Sequence, residues 1–138
     1  MEEGKIMVTF QVKTKKLKDI VDLTPKLNRI IQGKDFQSGV CHVFLLHTTA
    51  ALTTGEIGEG TEQDLLEVAE KIIPKIKFRH AHDPSHAWSH MAASLIGASL
   101  TVPVKNGELR LGTWQSVLLV ELDGPRERQL VVGLISVV

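Results

Sequence analysis

Ile6, Val8, Phe10 and Val12 alternate with Met7, Thr9, Gln11 and Lys13, the period of a half-buried strand. Lys15-Lys16 then turns the chain toward a second strand near Leu17 to Leu23, so the opening reads as a hairpin. Thr24 before Pro25 gives a helix cap with a first-turn proline, and Leu27, Ile30 and Ile31 form a short apolar face ending at Gly33. Val40 to Leu46 is nearly all apolar, which predicts a strand buried on both faces, with Cys41, Val43, Leu45 and His47 on one side and His42 on the other. The glycines and acids of the TTGEIGEGTEQ stretch predict a loop, with Thr61 capping a helix through Leu65, Leu66, Val68, Ala69, Ile72 and Ile73 to Pro74. Asp83-Pro84 repeats the cap-and-proline signal for a third helix ending near Gly97.

Strands at Ser99 to Val104 and Glu108 to Leu111 flank Asn106-Gly107, the strongest short-range hairpin signal in the chain. Trp114 to Leu122 and Gln129 to Val138 supply two more strands. The expectation is one domain over residues 1–138, α+β, with a largely antiparallel sheet and helices packed on one face.

Periodicity gives the third helix two faces. With Trp88 at zero and ~100° per residue, Met91, Ala92, Leu95 and Ile96 fall within ~80° and form the expected buried stripe. His86 and His90 fall on the far side with Ala93 and Gly97, and their spacing of four allows them to clasp one metal ion or one anion. Two solvated surface histidines are the plainer alternative.

Composition narrows the partners. Sixteen basic residues balance sixteen acidic ones, so nothing calls for nucleic acid or an anionic membrane, and any anion must be held locally. No apolar run approaches the length of a bilayer span. The start MEEGKIMVTF has neither a basic nor an apolar leader region, and the one cysteine, Cys41, cannot form an internal disulfide, so a cytoplasmic location is expected.

The candidate chemistry gathers between His80 and Arg128, which holds four of the six histidines, both tryptophans and the turn Asp123-Gly124-Pro125-Arg126-Glu127-Arg128. Arg126 and Arg128 share a face if that turn is extended, and two guanidiniums beside imidazoles suit a phosphate or carboxylate. Alternatively, they are turn charges paired with Glu127 or Glu121. His82 at the third helix's entrance and His47 at a strand exit are further partners, and Glu56 and Asp64 are candidate bases or metal-water partners if the Gly-rich loop folds over. Cys41 is too far along an extended strand to touch His47 and reads as packing.

The strings His47-Thr48-Thr49-Ala50-Ala51, Ser89-His90, Gly97 to Val104, Gly107-Glu108-Leu109, Leu111-Gly112-Thr113-Trp114-Gln115 and Asp123 to Arg128 resemble the YjbQ family of secondary thiamine-phosphate synthase-like proteins, from about Phe10 to the C-terminus. That resemblance implies a homotrimeric α+β fold with a pocket between subunits lined by histidines and acids. It places His47, His82 and His90 at the pocket's polar centre, Glu56 in the following loop, Asp64 at the start of the second helix, and Trp114, Gln115, Arg126 and Arg128 on the signature strand and turn. The loop between Thr53 and Gln63 is richer in Gly and Glu than the family's Asn/Asp-rich form, which leaves the role of Glu56 open. The resemblance does not assign His80 and His86 to matched positions.

The implied activity joins a pyrimidine diphosphate to a thiazole phosphate, releasing pyrophosphate, with the physiological substrate unsettled. Arg126, Arg128 and His82 would meet the growing negative charge. A divalent ion, Zn or Mg, would assist the leaving group, or His47, His82 and His90 would hold Zn with a water in the fourth position. The alternatives are a trimer that binds a metal or small anion without catalysis, and a scaffold whose histidines serve an interface.

Overall fold

Two antiparallel sheets meet over a common apolar core. The computed structural model describes residues 5–80 and 84–137. The five-stranded sheet contains β1 (Lys5–Lys13), β8 (Glu127–Ile135), β3 (Gly39–Leu45), β5 (Ser99–Lys105) and β6 (Glu108–Leu109), in that spatial order. The three-stranded sheet runs β2 (Asp19–Asp22), β7 (Ser116–Glu121), β4 (Ala50–Gly55). The helices are α1 (Thr24–Gly33), α2 (Thr61–Ile72) and α3 (Ala87–Ile96), the last preceded by a 3-10 turn over Pro84–His86.

The expected opening hairpin is not formed. β1 pairs with β8, Phe10 opposite Leu130, while β2 pairs with β7 in the other sheet. Alternation marks a strand but carries no partner, and Lys15-Lys16 leads from one sheet to the other rather than reversing the chain. The Asn106-Gly107 hairpin does form, with Val104 opposite Leu109.

The start of the presumed Gly-rich loop is a strand. β4 pairs with β7 from Ala50 opposite Glu121 to Gly55 opposite Ser116. Both strands bury residues on both faces: Ala50, Leu52, Val117 and Leu119 join the core shared with the larger sheet, and Ala51 and Val120, with Leu122 just beyond β7, join a second core. That second core is completed by Trp88, Ala92 and Ala93 of α3 with Ile73. The expected single sheet with helices on one face is therefore a larger sheet, a smaller one, and α3 with the end of α2 against the smaller sheet's outer side. Leu27 and Ile31 of α1 enter the inter-sheet core instead.

β3 is buried on one face only: Cys41, Val43 and Leu45 are enclosed, whereas Phe44 is exposed and His42 is half-buried, its Nδ1 2.8 Å from Thr101 Oγ1. Thr24 does not cap α1 with its side chain; its Oγ1 accepts the Val117 amide at 2.9 Å, tying the helix start to β7. Gly60, left-handed at φ 87°, stands at the α2 cap in place of Thr61. The buried face of α3 is rotated from the expected stripe. Ser89 and Ala93 are buried with Trp88 and Ala92, and Met91 and Leu95 are exposed, because the small residues let the helix sit close against the smaller sheet. The Trp88 indole N–H donates to the Ile73 carbonyl at 2.8 Å, and the Ser89 hydroxyl to the Leu122 carbonyl at 2.8 Å.

Candidate functional site

One cleft of about 790 Å³ collects most of the chemistry-bearing residues. One wall is the loop from Leu46 to Thr49 between β3 and β4, a second is His80, His86 and His90, and the third is the β7–β8 turn with Asp123, Arg126 and Arg128.

His47 is set by the neighbouring strand. Beyond β3 the Leu46 amide still donates to the Gln129 carbonyl at 3.1 Å, and the Gln129 amide in turn donates to His47 Nε2 at 2.7 Å. An Nε2 that accepts needs its proton on Nδ1, so the hydrogen bond selects the neutral Nδ1–H tautomer. Partial burial lowers the His47 pKa from its ordinary value, and the nearby Arg128 charge lowers it further. Glu121 acts in the opposite direction without reversing the shift.

The second wall brings His80 and His90 into a stack, ring centroids 5.0 Å apart and planes inclined by 27°. His86 Nδ1 lies 3.0 Å from Asp123 Oδ2, and Arg126 donates from Nη2 to the same oxygen at 3.0 Å and from Nε to the Asp123 carbonyl at 2.8 Å. Asp123 thus joins the histidine wall to the arginine turn. Arg126 keeps a half-exposed side chain at the cleft.

Arg128 is placed differently from the expectation of two arginines facing one ligand. Its side chain is only 1% exposed, and it donates through Nε to Glu121 Oε1 at 2.9 Å and through Nη2 to Glu121 Oε2. The same Nη2 also meets the Thr49 carbonyl at 3.1 Å and hydroxyl at 3.0 Å. Little of this guanidinium reaches the cleft that it lines: its Nε and Nη2 are directed into protein.

Four of the expected residues, Glu56, Asp64, Trp114 and Gln115, stand elsewhere in the chain. Glu56, Trp114 and Gln115 line a separate, shallow cleft of about 430 Å³. Glu56 accepts the Thr61 hydroxyl at 2.8 Å, Gln115 donates to Thr54 Oγ1 at 3.2 Å, and Trp114 is 77% exposed. Asp64 is exposed in the first turn of α2 and lines neither cleft. His82 lies outside the described residues, as does Asp83.

Asp123 and Thr49 belong to the cleft, and Glu121 supports it; of the three, only Glu121 is expected from the sequence as an arginine partner, a pairing that Arg128 makes. Glu121 carried a usable signal. A single carboxylate in the run Val117-Leu118-Leu119-Val120-Glu121-Leu122 has to be paired if that strand is buried.

The described residues do not assemble a metal site. Among them no three His, Cys, Asp or Glu side chains converge suitably for an ion. His47 Nε2 is engaged by an amide N–H, and its Nδ1 carries the proton that this tautomer requires. What the cleft offers instead is a neutral imidazole, a carboxylate-held imidazole and a guanidinium around one space, suited to anion capture and proton exchange.

The sequence from residue 8 to residue 137 matches the model of the UPF0047 protein YjbQ-like family. The chain belongs to the YjbQ family. A UPF0047 protein of Archaeoglobus fulgidus is 41% identical over 122 residues, 88% of this chain and 94% of its own length. The UPF0047 protein YugU of Bacillus subtilis is 34% identical, covering 89% of this chain and 94% of its own. The crystal structure of a YbjQ-like protein of unknown function from Sulfolobus solfataricus superposes with a TM-score of 0.88 at 31% identity, covering 96% of this chain and 98% of that one. Family membership carries the fold, three helices with curled antiparallel sheets, and leaves the chemistry to the cleft.

Proposed function

We propose that the histidine–arginine cleft binds a small phosphorylated molecule, and that the protein transfers a pyrimidine group from its diphosphate to a thiazole phosphate. In that reaction the thiazole nitrogen attacks the pyrimidine methylene carbon. The C–O bond to the diphosphate breaks, and the electron pair leaves with pyrophosphate. Catalysis requires positive charge and hydrogen-bond donors where the leaving oxygens gather charge. The observation that carries the reading is the convergence of His47, His86, His90 and Arg126 on one cleft. Of the two turn arginines, Arg126 has the half-exposed side chain, so it is the candidate phosphate ligand, and Arg128 supports it from below.

A homotrimer belongs to the same reading, with a neighbouring copy bringing its Glu56, Trp114 and Gln115 toward the cleft. Apolar residues exposed on the outer side of the larger sheet, Met7, Phe44 and Ile135, support an interface there. Folded His90→Ala and Arg126→Ala variants test the function: loss of phosphate-ester binding and of thiamine-phosphate formation is expected, and unchanged values contradict it.

A second reading, a trimer that holds an anion or metal without catalysis, is supported by the same cleft, because its imidazoles and guanidinium would bind an anion whether or not a reaction follows. The one cysteine, Cys41, is buried, which pushes its thiol up to about 12. Metal analysis of untagged protein tests the metal form of this reading; below about 0.1 ion per chain, a tight site is contradicted.

A further inference from the structure

We propose that Glu121 is a positioning residue for the cleft, one buried carboxylate that sets both the His47 wall and the arginine turn. Its side chain is completely buried, yet it lines no part of the cleft. Its hydrogen bonds reach the cleft only through other groups, and only its charge acts on His47 directly.

Glu121 accepts five hydrogen bonds. Oε1 receives the Thr14 hydroxyl at 2.7 Å and Arg128 Nε at 2.9 Å; Oε2 receives Arg128 Nη2, the Leu122 amide at 3.0 Å and the Asp123 amide at 3.1 Å. Two arms leave this hub. Along the first, Arg128 grips Thr49 by its carbonyl and hydroxyl, and the residue after Arg128 supplies the amide that fixes His47. Along the second, the Asp123 amide is held so that its carboxylate meets His86 and Arg126. Thr14 adds to this arm, because its Oγ1 accepts the Arg126 amide at 2.9 Å and its own amide donates to the Arg126 carbonyl at 2.9 Å.

A core that needed only volume at residue 121 would be served better by an apolar side chain, since burying an ion pair gains little over packed hydrocarbon. What a leucine cannot do is orient a guanidinium, a hydroxyl and two amides toward two walls at once. The carboxylate therefore has a directional use, and the groups at the ends of its arms, His47, His86 and Arg126, line the cleft.

This inference rests on the anion-binding reading for its purpose, but its geometry is tested separately. Histidine ring nitrogen and carbon-bound proton signals are recorded by NMR for wild type, Glu121→Gln, Thr14→Val and Thr49→Val, alongside titration with inorganic phosphate. Positioning predicts a pattern: Glu121→Gln moves the His47 and His86 signals, Thr49→Val mainly those of His47, and Thr14→Val mainly those of His86. Phosphate affinity falls about tenfold in Glu121→Gln, the scale of a lost hydrogen bond to a charged group. If Glu121→Gln does not fold, the two threonine variants, each missing one hydroxyl, still give the contrast. Lowered thermal stability with ring signals as in wild type would overturn the proposal. Wild-type protein that ignores phosphate overturns the anion reading alone, and the ring pattern still decides the role of Glu121.

Discussion

His47 and Gln129, eighty-two positions apart, are joined where the backbone amide of Gln129 donates to His47 Nε2 at 2.7 Å. The bond fixes which nitrogen of His47 can act in the cleft, because the proton must sit on Nδ1. Nitrogen-resolved NMR should therefore find His47 as the Nδ1–H tautomer at neutral pH, titrating below the ordinary 6.5. The sign for stability follows from the lowered folded value. Above pH 6.5 both states hold a neutral ring; as pH falls through 6.5 the unfolded chain takes up the proton first, so this group removes stability until the folded ring also protonates. A titration at or above 6.5, or an Nε2–H tautomer, contradicts the assignment.

The two arginines of the turn should separate cleanly by denaturation. Arg128→Met leaves the carboxylate of Glu121 buried and unpaired, and a loss of about 3–5 kcal/mol is expected. Arg126→Ala removes a half-exposed partner of Asp123 and should cost under about 1 kcal/mol while weakening anion binding. Equal costs in urea titrations would contradict the division of roles.

Acid sensitivity follows from the same buried pair. Burial alone raises the Glu121 pKa, but hydrogen bonds from Arg128, Thr14 and the Asp123 amide, with the Arg128 charge, together hold it below the ordinary 4.5. The stability it contributes is present above pH 4.5 and is lost as pH falls through the lower folded value. Stability curves of wild type and Arg128→Met should differ in slope across that acid range; parallel curves would contradict a depressed Glu121.

Gly124 is required by space. A Cβ there would lie 2.3 Å from the Lys16 carbonyl oxygen and 2.8 Å from Glu121 Cγ. Gly124→Ala should cost at least about 1–3 kcal/mol, the scale of overpacking, and disturb the neighbouring Arg126. Thermal melts and phosphate titration of the variant check both effects.

Much of the fold was legible because each element has a local cause: alternation in β1, the Pro25 start of α1, the Asn106-Gly107 turn. Partnership was not, since the β1–β8 pairing joins the two ends of the chain and no local signal encodes it. β4 was hidden because its Thr53-Thr54-Gly55 end resembles a loop, and only pairing with β7 makes it a strand. At the site, His47, His90 and Arg126 were readable from residue type and resemblance. The depth of Arg128 was not legible because alternation describes faces and not depth: it lines the cleft with a side chain that is almost wholly buried and paired with Glu121. The role of Asp123 could not be read, because it depends on α3 bringing His86 to the turn.

Assembly is checked by light scattering. A trimer gives three times the chain's 15.2 kDa, and Trp114→Ala should then weaken phosphate-ester binding although Trp114 lines a different cleft of its own protomer. A monomeric mass at micromolar concentration would contradict the shared site.

The most direct test of the anion cleft is a titration of the wild-type protein with inorganic pyrophosphate, followed through its histidine ring signals. His47, His86 and His90 should shift saturably, while His42, on the outer side of the larger sheet and bonded to Thr101, stays fixed as an internal control. Arg126→Ala should remove the saturation. Cleft histidine signals that do not move, or that move no more than His42, would contradict the account.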